Sequence, residues 1–464
     1  MTATDVDVSV SPFLQGAFTP IQDELDVGGL TVEGELPPAL RGAYMRNGAN
    51  PAFTPPAKYH IFDGDGMVHA VELDDGEVRY RNRFVESKGL TYERAQGHAV
   101  FGGLSGAAQL DPRVVEEIGF AKNTANTNVI RHAGRVLALM EGGRPTELSW
   151  DLDTVGEYDF DGALPFSMTA HPKVDPRTGE LVFFTYLPMA PHVSYYVADA
   201  AGTLTTNEII ETPRPTMMHD FVMTARHIVF FDMPAVMDLQ AMMTGDGTSI
   251  SWQPQFPARV GVMPRYGGND DVQWFELDPF YVFHFVNGWE DDAGRVQVVG
   301  CRAPGLLTSF GDEPAGDVTP PVLWQWTIDP AAGTIDEQQL DDRPTDFPRI
   351  NDAYAGTASR FGYLAHSRRW DERVEFDGII KYDLEGATST VVTYPAPIMG
   401  GEPVFAPDPD GSAEDDGWLL NLVTDHEIGK SELIAHDAHD LEIVARVQLP
   451  QRVPSGFHGN WMPR

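Results

Sequence analysis

The feature that most limits how this chain can fold is a regular alternation of short β-rich runs with turn signals, sustained from about residue 60 to residue 450. Examples are GEVRYRNRFV, GRVLALME, GELVFFTYLP, HIVFFDMP, VQVVGCR, LWQWTID, GIIKYDL, GWLLNLVTD and SELIAHDA. Many are bounded by Asp-Gly, Gly-Gly or Asp-Pro, the punctuation that antiparallel hairpins need. A chain of 464 residues would by default split into two or three domains. An unbroken run of hairpins instead predicts one all-β domain over 1–464, with a β-propeller as the leading choice over a sandwich. Seven blades would take about 66 residues each, longer than the roughly 40–50 of common propeller repeats, and no crisp repeat is visible.

Two stretches break the pattern. LSGAAQLDPRVVEEIGF, near 104–120, has Asp111 then Pro112 as a helix start. The second, near 234–256, opens with PAVMDLQAMM, where Met233, Val236, Met237, Leu239, Met242 and Met243 make an apolar run. It reads as a helix packed on the core, a lid over an apolar tunnel, or a patch that touches a membrane peripherally.

The charge balance, 32 Lys and Arg against 69 Asp and Glu, excludes nucleic acid as a partner and repels anionic lipid. A single cysteine, Cys301, excludes an intrachain disulfide and any cysteine-based metal cluster. The acidic N-terminal segment has no basic and apolar signal regions, and no apolar run is long enough to span a bilayer. A cytoplasmic location is expected.

Of fourteen histidines, His426, His436 and His439 fall in an acidic hairpin and are expected to face solvent. His98, His132, His192, His227 and His366, near turns or charged neighbours, are expected at the surface. Four others sit among apolar or small residues: Ala170-His171-Pro172, Met218-His219-Asp220-Phe221, Phe283-His284-Phe285 and Phe457-His458-Gly459. A buried imidazole must hydrogen-bond or bind something, and each alone is more often a satisfied core residue. Their wide spacing could converge only in a closed architecture.

The contexts RNGANP, YHIFDGDGMVHA, NTANTNV, TAHPKVDPRTGE, MMHDF, FHFVNGWE, DFPRIN, GEPVFAP and GFHGNW, spread over nearly the whole chain, resemble the carotenoid cleavage oxygenase family. The resemblance implies a seven-bladed β-propeller with a helix and loop cap over its iron face. It implies one Fe(2+) per chain, held by His171, His219, His284 and His458, with O2 as co-substrate and an apolar polyene as substrate. Four neutral imidazoles would leave the ferrous ion its full charge and two open positions in an octahedral shell. By the same resemblance Glu141 pairs with His219, Asp346 with His284 and Glu402 with His458, each accepting the distal imidazole N–H. Asp346 departs from the family's glutamate and is shorter by one methylene, so either its strand sits closer or a water bridges the gap. Phe62, Met140, Phe231 and Phe285 are candidates to line the substrate tunnel. Relatives that cleave stilbenes or isoeugenol resemble one another in a lysine just before the first glutamate; here that residue is Met140. A carotenoid or apocarotenoid dioxygenase is therefore favoured over a phenylpropenoid-cleaving enzyme, a retinoid-type isomerase or a propeller that only binds partners. DGDG (63–66) lacks the closing glutamate of a calcium loop and reads as a tight turn.

Overall fold

In the computed structural model, which describes residues 6–56, 58–104, 110–308, 310, 318–368, 370 and 375–464, the β-rich runs form seven antiparallel sheets in succession along the chain, each built on a four-stranded meander. The meanders centre on Met67–Asp74 (blade 1), Arg135–Leu139 (blade 2), Leu181–Tyr186 (blade 3), His227–Asp232 (blade 4), Val296–Ala303 (blade 5), Phe361–His366 (blade 6) and Gly417–Asp425 (blade 7). The fold is the seven-bladed propeller that the family resemblance implies. Inner strands such as Leu181–Tyr186 and Phe361–His366 are buried at every position, because a neighbouring blade covers each face. Their sequences consequently read as continuous apolar runs. Outer strands such as Leu204–Ile210 and Thr388–Thr393 are largely exposed.

Both chain ends close the ring. Val32–Gly34 joins blade 7 by pairing with Ile443–Gln448. Gly459–Pro463 joins blade 1 by pairing with Gly42–Arg46. The N- and C-terminal segments thus cross at one seam, where the His458 N–H also donates to the Thr127 carbonyl of blade 2. A Cβ on Gly48 would come within 2.9 Å of the Gly456 backbone, so the two segments need glycine to pass this closely.

Among the described residues α-helix is confined to α1 (Lys88–Gln96), α2 (Pro112–Glu117) and α3 (Leu239–Thr244). Helix α2 starts as expected, with the Asp111 side chain capping it and Pro112 in its first turn; residues 105–109 of that insertion lie outside the described residues. The second insertion is more β than expected: Ala235–Met237 and Ile250–Trp252 form a two-stranded ribbon around α3. Its methionines are mostly packed inward. Met233 and Met237 belong to the core, and only Met243, 59 % exposed, is mainly solvent-facing. Ser249 ties this ribbon to the Leu104 and Phe310 carbonyls. No helix among the described residues is long and apolar enough to cross a membrane.

The DGDG segment fastens loops and offers no cation loop. Asp63 accepts the amides of His60 and Leu104, and Asp65 accepts that of Ala52 and pairs with Lys122 at 2.7 Å. Gly66 forms a bridge with Ala49, and a Cβ there would stand 2.3 Å from the Ala125 carbonyl oxygen. Because the obstacle is backbone, Gly66→Ala is expected to cost about 1–3 kcal/mol, read as a lower denaturant midpoint; an unchanged midpoint would contradict this packing.

Candidate metal centre and cavity

Strands of blades 1, 3, 4 and 5 bring the four histidines together. His171 lies just ahead of the first strand of blade 3, Lys173–Val174, His219 just ahead of that of blade 4, Val222–Met223, and His458 directly before the strand that closes blade 1; His284 lies within the first strand of blade 5, Tyr281–Glu290. Their ring centroids are 4.4–5.1 Å apart in the five closest pairs. One nitrogen from each lies within 4.8 Å of the others, and all four side chains are buried.

Local irregularities aim these groups. The register of Tyr281–Glu290 against Val296–Ala303 slips between Val282 and Phe285, a bulge that turns His284 inward. Gly300 opposite leaves room for the Phe285 ring, which a Cβ would meet at 2.7 Å. A second bulge lies between Asp346 and Arg349, where Phe347 takes the left-handed region (φ 50) just before Pro348. Asp346 thereby reaches His284 directly. His284 Nδ1–H donates to Asp346 Oδ1 at 2.8 Å, so the shorter side chain needs no bridging water. His458 Nδ1–H donates to Glu402 Oε1 at 3.0 Å, and the Gly459 amide donates to the other oxygen. Glu141 Oε1 is 3.5 Å from His219 Nδ1 and 3.8 Å from His171, longer than the other two pairs, while its Oε2 accepts the Tyr186 hydroxyl at 2.6 Å.

Electrostatics act unevenly on the four rings. Burial, reinforced by the neighbouring imidazoles, holds His171 and His219 well below the usual imidazole range. Burial also lowers His458, against the opposing pull of Glu402. At His284 burial is outweighed by Asp346, and the net direction is upward. Burial raises Glu402, but Arg349 and His458 more than offset it, leaving the carboxylate ionised. Burial pushes Glu141 up to about 8.

His171 Nε2, His219 Nδ1 and Glu141 Oε1 are buried without hydrogen-bond partners, and His219 Nε2 faces His284 Nε2 at 3.2 Å. Burying such atoms unpaired is costly. A cation among the four rings would resolve the crowding of imidazole nitrogens and draw the Glu141 carboxylate toward ionisation. The donor set therefore fits one divalent transition metal.

One residue at this centre was quoted in a motif but given no role. Asp220 pairs with Lys173 at 2.7 Å and accepts the amides of Phe221 and Phe285. It thus joins segments that adjoin His171, His219 and His284. The signal was only its position next to a histidine. His60, likewise unassigned, is buried beside the cavity.

Next to the rings is a cavity of about 120 Å³, open to solvent and lined by His219, His284, His458 and an aromatic wall that includes Phe62, Phe347 and Phe457. Phe62 lines this cavity. Phe231 and Phe285 do not: their rings stack at 4.4 Å in the core, on Trp326, away from this opening. Both sit in strands covered on each face, so burial, not the cavity, selected their aromatic character. Met140 also lies off the opening, its sulfur accepting the Thr124 amide. Three surface assignments are corrected too. His436 is fully buried between Tyr394 and the Leu441 carbonyl, and His132 and His366 are buried against the carbonyls of Gly179 and Pro344. Each is a satisfied core histidine.

The sequence profile of the retinal pigment epithelial membrane protein family matches residues 18–463. A carotenoid cleavage oxygenase of Mycobacterium tuberculosis is 36 % identical, with both chains covered in full. The chain belongs to the carotenoid cleavage oxygenase family. A carotenoid 9,10(9',10')-cleavage dioxygenase 1 of Pisum sativum is 34 % identical over 96 % of this chain and 89 % of its own. Among solved structures, lignostilbene dioxygenase of Pseudomonas brassicacearum superposes with a TM-score of 0.90 at 30 % identity, covering 98 % of this chain and 99 % of its own. A cobalt-substituted Synechocystis ACO superposes with a TM-score of 0.86 at 28 % identity, covering 99 % of this chain and all of its own.

Removing one imidazole leaves the remaining ones crowded but incomplete. His219→Ala and His284→Ala are each expected to lose bound metal, measured as metal per chain after dialysis against a weak chelator; retention near one per chain would contradict the cluster. Asp346→Asn keeps shape but weakens the hold on His284, with metal affinity expected to fall about 10–100-fold. Asp220→Ala should lower metal content without touching a ring.

Proposed function

We propose that this protein is an iron(II)-dependent dioxygenase that cleaves a C=C bond of a carotenoid or apocarotenoid with O2, giving two carbonyl products. One Fe(2+) per chain would be held by His171, His219, His284 and His458. The observation that carries this reading is the convergence of four buried imidazoles, with carboxylates fixing the distal nitrogens of His284 and His458, at the wall of an aromatic cavity. Bound there, a ferrous ion would supply the activation of dioxygen.

The chain's own residues would do the rest. Asp346 and Glu402 hold the protons on the distal nitrogens of His284 and His458, which keeps the other nitrogen of each ring free to ligate. Tyr186 steadies Glu141 beside His219. Phe62, Phe347 and Phe457 present apolar faces that exclude water and grip a flat conjugated chain. A rigid polyene held in such a channel exposes one alkene to the metal, so position alone selects the bond.

The lignostilbene dioxygenase neighbour gives a phenylpropenoid substrate its own support. Against it, no lysine lines the cavity among the described residues, the cation that does, Arg46, donates to the Pro454 carbonyl, and the side chain before Glu141, Met140, is turned to the Thr124 amide. A phenolate would find no ammonium partner there. Iron-loaded protein incubated with carotenoids, apocarotenoids, hydroxystilbenes and isoeugenol is expected to yield carbonyl fragments from the long polyenes, identified by mass. Faster turnover of a hydroxystilbene or isoeugenol would reverse the substrate assignment; a single rearranged product would make the protein an isomerase.

A further inference from the structure

One part of the cavity wall sets a polar pair, His60 and Thr308, among apolar side chains. His60, Phe62, Leu307 and Thr308 stand together there. The Phe62 amide donates to His60 Nδ1 at 3.2 Å, within a capping arrangement that also ties the His60 amide to Asp63. Nδ1 is therefore an acceptor and carries no proton. Burial pushes His60 down to about 3, so the ring is neutral and its one proton sits on Nε2. That nitrogen is 2.9 Å from Thr308 Oγ1 and must be the donor.

The consequence falls on Thr308. Its oxygen already accepts from His60, so its own hydroxyl hydrogen must point elsewhere. Among the described residues it makes no second hydrogen bond, and the nearby rings, Phe62 and Phe310, which lie edge-on and tilted against His60 at 4.7 and 4.8 Å, offer no acceptor oxygen. Thr308 is half-buried and lines the opening. A hydroxyl that already accepts from His60 and lines the cavity has its hydrogen left to donate to an acceptor that enters with the ligand.

We propose that Thr308, oriented by His60, is a specificity-determining residue that donates a hydrogen bond to an oxygen atom on the substrate. The polyene this cavity selects then carries a carbonyl or hydroxyl oxygen and is not a pure hydrocarbon. The inference rests on the polyene reading above and narrows it. A hydrocarbon of the same length would fill the channel but leave the Thr308 hydrogen desolvated and unpaired. One neutral hydrogen bond of this kind corresponds to roughly 3- to 10-fold in affinity.

The test compares an apocarotenoid aldehyde with a hydrocarbon polyene of matched length. Binding to the iron-loaded protein is followed under nitrogen by quenching of tryptophan fluorescence, so no turnover intervenes. The wild type should bind the aldehyde roughly 3- to 10-fold more tightly. Thr308→Val, close in shape, should erase that preference by weakening aldehyde binding alone, with metal content unchanged. Thr308→Ser, which keeps the donor, should restore it. In air, the loss in Thr308→Val should appear in KM for the aldehyde and not in kcat. Equal binding of the two ligands by the wild type, or an aldehyde preference that survives in Thr308→Val, would overturn the inference while leaving the polyene reading intact. Failure of both ligands to bind would overturn the polyene reading, and this inference with it.

Discussion

Everything at the centre of this propeller depends on keeping four imidazoles in van der Waals reach of one another. Such packing is unfavourable without a common partner, since each ring brings a buried nitrogen that must be satisfied. Two of the rings have their outward nitrogens anchored to Asp346 and Glu402, which leaves the inward nitrogens bare and basic. Burial keeps His171 and His219 from taking up protons instead. A divalent cation is the group that satisfies all four at once. The propeller suits the task because inner strands of separate blades can each contribute one ligand without any of them being close in sequence.

Rigidity around the rings comes from polar clasps between blades. Asp220 binds Lys173 and the Phe285 amide, so three of the four histidine segments share one carboxylate. Asn128 reaches the Ala170 carbonyl on one side and Asn460 on the other, next to His171 and His458. Asn47 spans the Ala125 and Asn128 carbonyls at the closing seam. These contacts give the quoted motifs a physical reason: RNGANP, NTANTNV and MMHDF place amides and carboxylates where irregular backbone would otherwise be left unpaired.

Much of this was legible in the sequence, and the failures have identifiable causes. Turn chemistry between short apolar runs marks hairpins, so the all-β class was readable from residues such as those in GIIKYDL and GWLLNLVTD. The blade count and the ligand set were not readable from periodicity; they came from motif resemblance. Phe231 and Phe285 were misplaced because a buried strand and a cavity wall use the same side chains. His436 was misplaced because an acidic, turn-rich neighbourhood surrounds a residue whose own side chain points into blade 7. The reach of Asp346 depended on a bulge at Phe347, and a bulge has no reliable signature in a single sequence. Thr308 and His60 were overlooked because their significance lies in a tautomer, which only the three-dimensional arrangement of the Phe62 amide fixes.

The central claim, that the four histidines and no carboxylate bind the metal, is tested most directly by X-ray absorption at the iron edge of the iron-loaded protein. The account predicts the multiple-scattering pattern of four imidazole rings, with Glu141, Asp346 and Glu402 absent from the coordination sphere. Fewer imidazoles, with a carboxylate from any of these three bound to the iron, would contradict it.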